Sequence, residues 1–273
     1  MSTTESHSHV RRFGAWVQQR LEEIIVQQED AIEQAGALIA SVLAREGLVH
    51  TFGTGHSHLL AEEMYSRAGG LLPVNVIQSA PLMLHEDAVA SGQWERMSGV
   101  AEILLEQSGL DPARDVLIVI SNSGCNAAPV EAAEWASAHH VPIIALTSLR
   151  HSQSQPSRAP SGKKLYEVAD ITLDNRGETG DAAIEIGPGL RIAPTSTIVG
   201  AFLIQAVVIS TVEHYLRLHH HHQDVPIPII RSANIEGADE TNAQTVAAYP
   251  GRLPQAYERL RHRLVQQFPL GPA

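Results

Sequence analysis

Cysteine is almost missing: Cys125 is the single one in 273 residues. That excludes an intrachain disulfide and any paired-cysteine metal knuckle, and it fits a reducing cytoplasm. Basic charge is also short. The 19 Lys and Arg against 30 Asp and Glu leave a formal net charge of −11. So acidic a surface repels phosphate backbones and anionic lipid, which disfavours nucleic acid and membrane surfaces as partners. A small anionic ligand would have to be held by local devices such as converging backbone amides and helix N-termini. Met1 to Val10 lacks the apolar core and cleavage-like site of a secretory signal and reads as a disordered polar tail. Long uncharged runs are missing too, with one exception, Ile192 to Val212, which has no charged side chain over 21 positions. Pro194, Thr195, Ser196, Thr197, Gly200, Gln205 and Ser210 interrupt it, so the expectation is a helix buried within the protein rather than a membrane span.

What is present is a globular composition, 44% apolar and 18% charged, long enough for one large α/β domain. Trp16, Leu21, Ile24, Ile25, Ile32, Leu38, Ile39 and Leu43 recur at helical spacing and predict a long helix over 11–45. Gly36 is the expected break or bend in it, and Gly47 its stop. Strands are expected at Leu48 to Phe52, Val74 to Ile77, Val116 to Ile120, Pro142 to Leu146 and Asp170 to Leu173. Helices are expected over 57–68, 127–138 and 195–218, and Arg150 to Gly162 reads as an exposed loop. Strands alternating with helices predict a doubly wound parallel sheet, with ligands beyond the carboxyl ends of the strands. No repeat or linker divides the chain, so residues 11–273 read as one domain with an extension over 219–273. The run His219 to His222 reads as a solvated loop.

Two loops at strand ends carry the chemistry. Gly53-Thr54-Gly55-His56-Ser57 follows the first strand, and its glycines let backbone amides converge before a helix N-terminus. It is not a dinucleotide fingerprint, because His58 stands where the third glycine would be, and it lacks the Gly-Lys-Ser/Thr of a P-loop. Ser121-Asn122-Ser123-Gly124-Cys125-Asn126 follows the most apolar strand. One such residue suffices to cap a helix; this loop has four in six positions. Two Gly-containing, hydroxyl-rich loops on adjacent strands point to a phosphorylated ligand.

With Pro194-Thr195-Ser196-Thr197, these segments resemble, in order and spacing, the three signature segments of SIS (sugar isomerase) domains. The resemblance covers roughly residues 11–218. It implies a flavodoxin-like five-stranded parallel sheet with a long N-terminal helix, and a homodimer or homotetramer with shared active sites. It also implies a sugar phosphate held by Thr54, Gly55, His56, Ser57, Ser121, Asn122, Ser123 and Asn126, with Arg67 nearby and Thr195 and Ser196 in support. Sugar isomerases and related lyases need a base at the carbon beside a carbonyl and an acid for the oxygen. Glu62 and Glu63 are candidates. Glu62 is preferred, because Glu63 lies four before Arg67 and could form a surface ion pair. His85, Glu86 and Asp87 form the second group. His85 and Asp87 fall on a Ser-His-Gly-Asp segment of arabinose-5-phosphate isomerases, and Glu86 takes its glycine position. His56 stands where those enzymes have lysine.

Phosphoheptose isomerases carry zinc ligands at places resembling Glu63 and Arg67. A cation is no metal ligand, so neither metal nor other cofactor is expected, and the glutamate of N-acetylmuramate-6-phosphate etherases is likewise replaced by Arg67. The segments Ser161 to Tyr166, Gly180 to Ala182 and Arg231 to Asn234 resemble a bacterial subgroup that includes N-acetylglucosamine-6-phosphate dehydratases. Arg231 to Glu240 reads either as a docked tail or as an arm over a partner's site. The leading expectation is a lyase that dehydrates N-acetylglucosamine 6-phosphate; the alternative is an aldose–ketose isomerase. A sugar-phosphate sensor is a third class, disfavoured because residues 11–45 are too short to hold a DNA-binding domain as well as the first helix.

Overall fold

The computed structural model describes residues 3–219 and 227–267. Two helices open it, α1 (Thr3–Gln27) and α2 (Glu29–Ala44). They are followed by β1 (Val49–Gly53), α3 (Ser57–Glu63), β2 (Val74–Ile77), α4 (Ala88–Arg96), α5 (Val100–Gln107), β3 (Val116–Ile120), α6 (Ala127–Ala138) and β4 (Ile143–Thr147). Next come α7 (Leu149–Gln153), α8 (Leu165–Val168), β5 (Ile171–Asp174), the hairpin β6 (Ala182–Gly187) and β7 (Leu190–Pro194), α9 (Ser196–Leu218), α10 (Ala238–Ala248) and α11 (Gln255–Gln267).

The five strands pair in parallel in the order β2-β1-β3-β4-β5. Successive side chains of a strand point to opposite faces, and β3 is apolar on both. Val116, Ile118 and Ile120 enter the core shared with α2, α3 and α9; Leu117 and Val119 enter the one shared with α5, α6 and α8. Because the order reverses between β1 and β3, α3 leaves on one face and α6 on the other. This opens a crevice between the ends of β1 and β3, the place where such sheets bind ligands.

Several expectations change. The long N-terminal helix starts at Thr3, inside the segment read as a tail, whose first two residues lie outside the described region. It breaks at Gln28 rather than at Gly36. Gly36 sits within α2, where a Cβ would come 2.2 Å from Ser210 Oγ of α9, so the glycine permits close helix packing. The helix after the first loop ends at Glu63 instead of 68. The start of the segment read as an exposed loop, Arg150 to Gly162, belongs to the short helix α7, capped by Ser148. The uncharged run begins as β7, and only from Ser196 is it helical; α9 is long and apolar enough to cross a bilayer, yet Val199, Leu203, Ile204, Val207 and Val208 pack into the core as expected of an internal helix. Beyond His219, the histidine run lies outside the described residues.

The extension docks on its own chain. Gly69 and Leu72 donate to the carbonyls of Ile230 and Pro228, and Tyr249 and Leu253 join Leu72 in a third apolar cluster. Arg252 fixes it at the amino end of the sheet. Its Nη1 donates to both oxygens of the fully buried Asp115, at 2.8 and 2.9 Å. The same carboxylate accepts from Leu48 N, Asp111 N and the buried His50. Burial alone would raise the Asp115 pKa, but these hydrogen bonds hold it below its ordinary value. A carboxylate depressed in the folded state stabilises above its unfolded pKa, about 4, and that contribution fades as pH falls through the lower folded value. Replacing Asp115 by Asn should therefore cost roughly 3–5 kcal/mol at pH 7, read as a lower urea midpoint, and should flatten the loss of stability below about pH 4. An unchanged midpoint would contradict this role.

Candidate functional site

Backbone geometry shapes the two loops flanking the crevice. Gly55 adopts φ +54° and Gly124 φ +58°, a left-handed conformation that glycine takes at little cost. At Gly124 the need is double, since a Cβ would lie 2.9 Å from Thr147 Oγ1. Thr54 is buried, Gly55 and Ser57 are half-buried, and His56 faces solvent. Ser121 Oγ accepts from Gly124 N at 3.1 Å, closing the second loop on itself. Asn122 is held from the strands beyond: its side-chain oxygen accepts from Asn175 at 2.9 Å and its carbonyl from Ser148 N at 3.1 Å. Ser57 and Ser123 have hydroxyls with no hydrogen-bond partner among the described residues, which leaves them free to donate.

One side chain spans the crevice, and no motif announced it. Glu95, on α4, accepts from Asn126 Nδ2 at 2.7 Å through Oε1, while Oε2 lies 4.0 Å from the point where Gly55 would carry a Cβ. A carboxylate is thus held between the two loops. The amide oxygen of Asn126 accepts in turn from Arg158 Nη1 at 2.8 Å. Both partners were missed for the same reason: they lie 31 and 32 residues from Asn126, in segments without local patterning.

The acid–base candidates separate into two places. His85 is exposed beside the glycine loop, with its ring centroid 6.1 Å from that of His58 and its Nε2 3.7 Å from Glu86. Asp87 is the N-cap of α4, accepting from Val89 N and Ala90 N at 2.9 and 3.0 Å, so its role is structural. Glu63 makes the expected ion pair with Arg67 at 2.9 Å and also accepts from Gln205 at 3.0 Å. Glu62 is exposed, and among the described residues its carboxylate hydrogen-bonds only with Gln78. Glu62, Glu63 and Arg67 line a separate cleft of about 1080 Å3, whose far wall is the extension with Arg231, Asn234 and Arg259. None of the residues lining it belongs to the two loops. Arg231 is tied within the extension, its N donating to Asn242 Oδ1 at 2.8 Å, while most of 231–237 is exposed.

Thr195 and Ser196 need a correction. Their backbone and hydroxyl donors all turn to Asp181: Thr195 N and Oγ1 reach Oδ1 at 3.0 Å, Ser196 N reaches it at 2.8 Å, and Ser196 Oγ reaches Oδ2 at 2.7 Å. A carboxylate already neutralises the amino end of α9, where a phosphate would have been expected to gain support. Among the described residues, no group of three or more His, Cys, Asp or Glu side chains gathers as a metal site.

Residues 12–148 match the family model described as SIS domain. A UPF0309 protein of Geobacillus kaustophilus is 39% identical over 259 residues, covering 94% of this chain and all of the relative. One from Listeria monocytogenes is 38% identical over 235 residues, covering 86% of this chain and 93% of the relative. Among solved structures, a phosphoheptose isomerase from Neisseria gonorrhoeae is similar with a TM-score of 0.49 at 18% identity, covering 76% of this chain and 97% of that one. A phosphoheptose isomerase from Francisella tularensis gives a TM-score of 0.49 at 19% identity, covering 77% and 98%.

If Asp181 caps α9, its replacement by Ala should destabilise the protein by about 1–2 kcal/mol, with Asn recovering part of the loss. Denaturant unfolding measures both, and equal stability of Asp181→Ala and the parent would contradict the assignment.

Proposed function

The chain belongs to the SIS domain family, among the UPF0309 proteins, and from that premise we propose that it is an enzyme acting on a phosphorylated amino sugar, dehydrating N-acetylglucosamine 6-phosphate. The phosphate is held by Ser121, Asn122, Ser123 and the adjoining amides, with Ser57 across the crevice. The open-chain aldehyde makes the C2 proton acidic. A carboxylate removes that proton, the electron pair forms the C2–C3 double bond, and the C3 hydroxyl, protonated by an acid, leaves as water. The product is a conjugated unsaturated aldehyde phosphate.

The observation that carries this reading is Glu95, fixed by Asn126 between both loops. A base must lie within hydrogen-bond reach of the proton it takes, and Glu95 is the carboxylate in contact with the phosphate loop. His85, beside the glycine loop, serves the leaving hydroxyl. Glu62, whose carboxylate pairs with no arginine among the described residues, is the alternative base, presented from α3.

Assembly follows from α9. Ile198, Ile209 and Leu216 lie on one face of it, since spacings of 11 and 7 residues return within about 20° of the same direction. They are 42%, 61% and 45% exposed. A second copy of the chain covers this seam, in keeping with the dimers that the family resemblance implies.

Incubation with N-acetylglucosamine 6-phosphate should produce the ultraviolet absorbance of a conjugated carbonyl. An aldose phosphate with a hydroxyl on C2, converted to its ketose without absorbance, would favour the isomerase reading, which shares the C2 step. Glu95→Gln should lower kcat by roughly 10²-fold or more with the fold intact; loss on Glu62→Gln but not on Glu95→Gln would move the base to α3. Ile209→Glu should shift the mass measured by light scattering to that of a monomer, and an unchanged mass would remove α9 from the interface.

A further inference from the structure

The segment before α8 reads in sequence as an exposed loop, yet it is bonded onto the phosphate loop at two successive carbonyls. Arg158 N donates to Cys125 O at 2.7 Å and Leu165 N to Gly124 O at 2.9 Å. The segment is also internally tied: Ser157 Oγ donates to Lys163 O at 2.6 Å, and Gly162 N to Ala159 O at 3.0 Å. Lys164 Nζ is consumed by Ser152 O at 2.7 Å. The Arg158 side chain is the member that turns toward the crevice, where its Nη1 holds the Asn126 amide that in turn holds Glu95. A guanidinium has five N–H donors, and among the described residues only this one has a partner. No carboxylate pairs with it there, although the chain carries an excess of 11 negative charges.

We propose that Arg158 is the residue that makes the site demand a phosphate: its free N–H groups grip the substrate's phosphoryl oxygens while Nη1 keeps Asn126, and through it Glu95, in place. The inference rests on the reading of the Ser121 to Asn126 loop as the phosphate cradle. That loop contains no cation, and a planar guanidinium suits two phosphoryl oxygens at once. A sugar without phosphate would leave Arg158 unanswered and bind weakly.

Three measurements separate the inference from the reading beneath it. Binding of inorganic phosphate and of N-acetylglucosamine 6-phosphate to the parent protein, by calorimetry, tests the cradle; no binding of either overturns both. With binding established, Arg158→Gln should weaken phosphate affinity about ten-fold or more and raise KM for the phosphorylated sugar far more than it lowers kcat. Arg158→Lys should recover part of the affinity, and unphosphorylated N-acetylglucosamine should bind parent and variant alike. Lys163→Gln removes an exposed charge from the same segment and should leave phosphate affinity unchanged. Equal affinity of Arg158→Gln and the parent overturns the proposal while sparing the cradle, as does an equal loss in Lys163→Gln, which would make the effect one of general charge. A thermal unfolding curve that matches the parent excludes misfolding of Arg158→Gln.

Discussion

The adjacency of β1 and β3 governs everything that follows from this fold. Each is fully buried, each runs into a loop with a left-handed glycine, and the helices that continue them leave on opposite faces. Two loops are therefore left facing one another with no helix between them. Every residue given a chemical role in the crevice owes its place to that reversal in strand order. The burial of β3 on both faces makes the arrangement stiff, because neither loop can move apart without opening an apolar core.

Around this crevice the protein adds polar ties rather than more apolar contact. Asn175 and Ser148 steady the Ser121 to Asn126 loop from the ends of β5 and β4, and Asn126 ties it to α4. Glu178, after β5, accepts from Trp16, Arg20 and Arg150, which fixes α1 over the same end of the sheet. Burial would raise the Glu178 pKa, but these three donors hold it below the ordinary carboxylate range. The opposite end of the sheet has its own buried carboxylate, Asp115, through which Arg252 fastens the extension. The two ends are stabilised by similar chemistry, a carboxylate answered by an arginine and further donors.

What the sequence disclosed is what is local. The five strands, both loops and the ion pair of Glu63 with Arg67 follow from patterns a few residues long. Contacts set by tertiary structure were not legible. Glu95 and Arg158 meet Asn126 from segments about thirty residues away, one on a helix without a strong apolar pattern and one in a Ser- and Pro-rich stretch. The role of Thr195 and Ser196 was misread for a related reason, since the hairpin that carries Asp181 back to them has no signature of its own. The break at Gln28 was assigned to Gly36 because a glycine inside a helix signals a break as readily as a close helix contact.

Soaking crystals with N-acetylglucosamine 6-phosphate and locating its phosphorus tests the account most directly. The phosphate should lie within hydrogen-bond reach of the Ser121 to Asn126 loop, with C2 of the sugar about 3 Å from a Glu95 oxygen. A phosphate found in the cleft beside Arg231 and Arg259, with only solvent between the two loops, would contradict it.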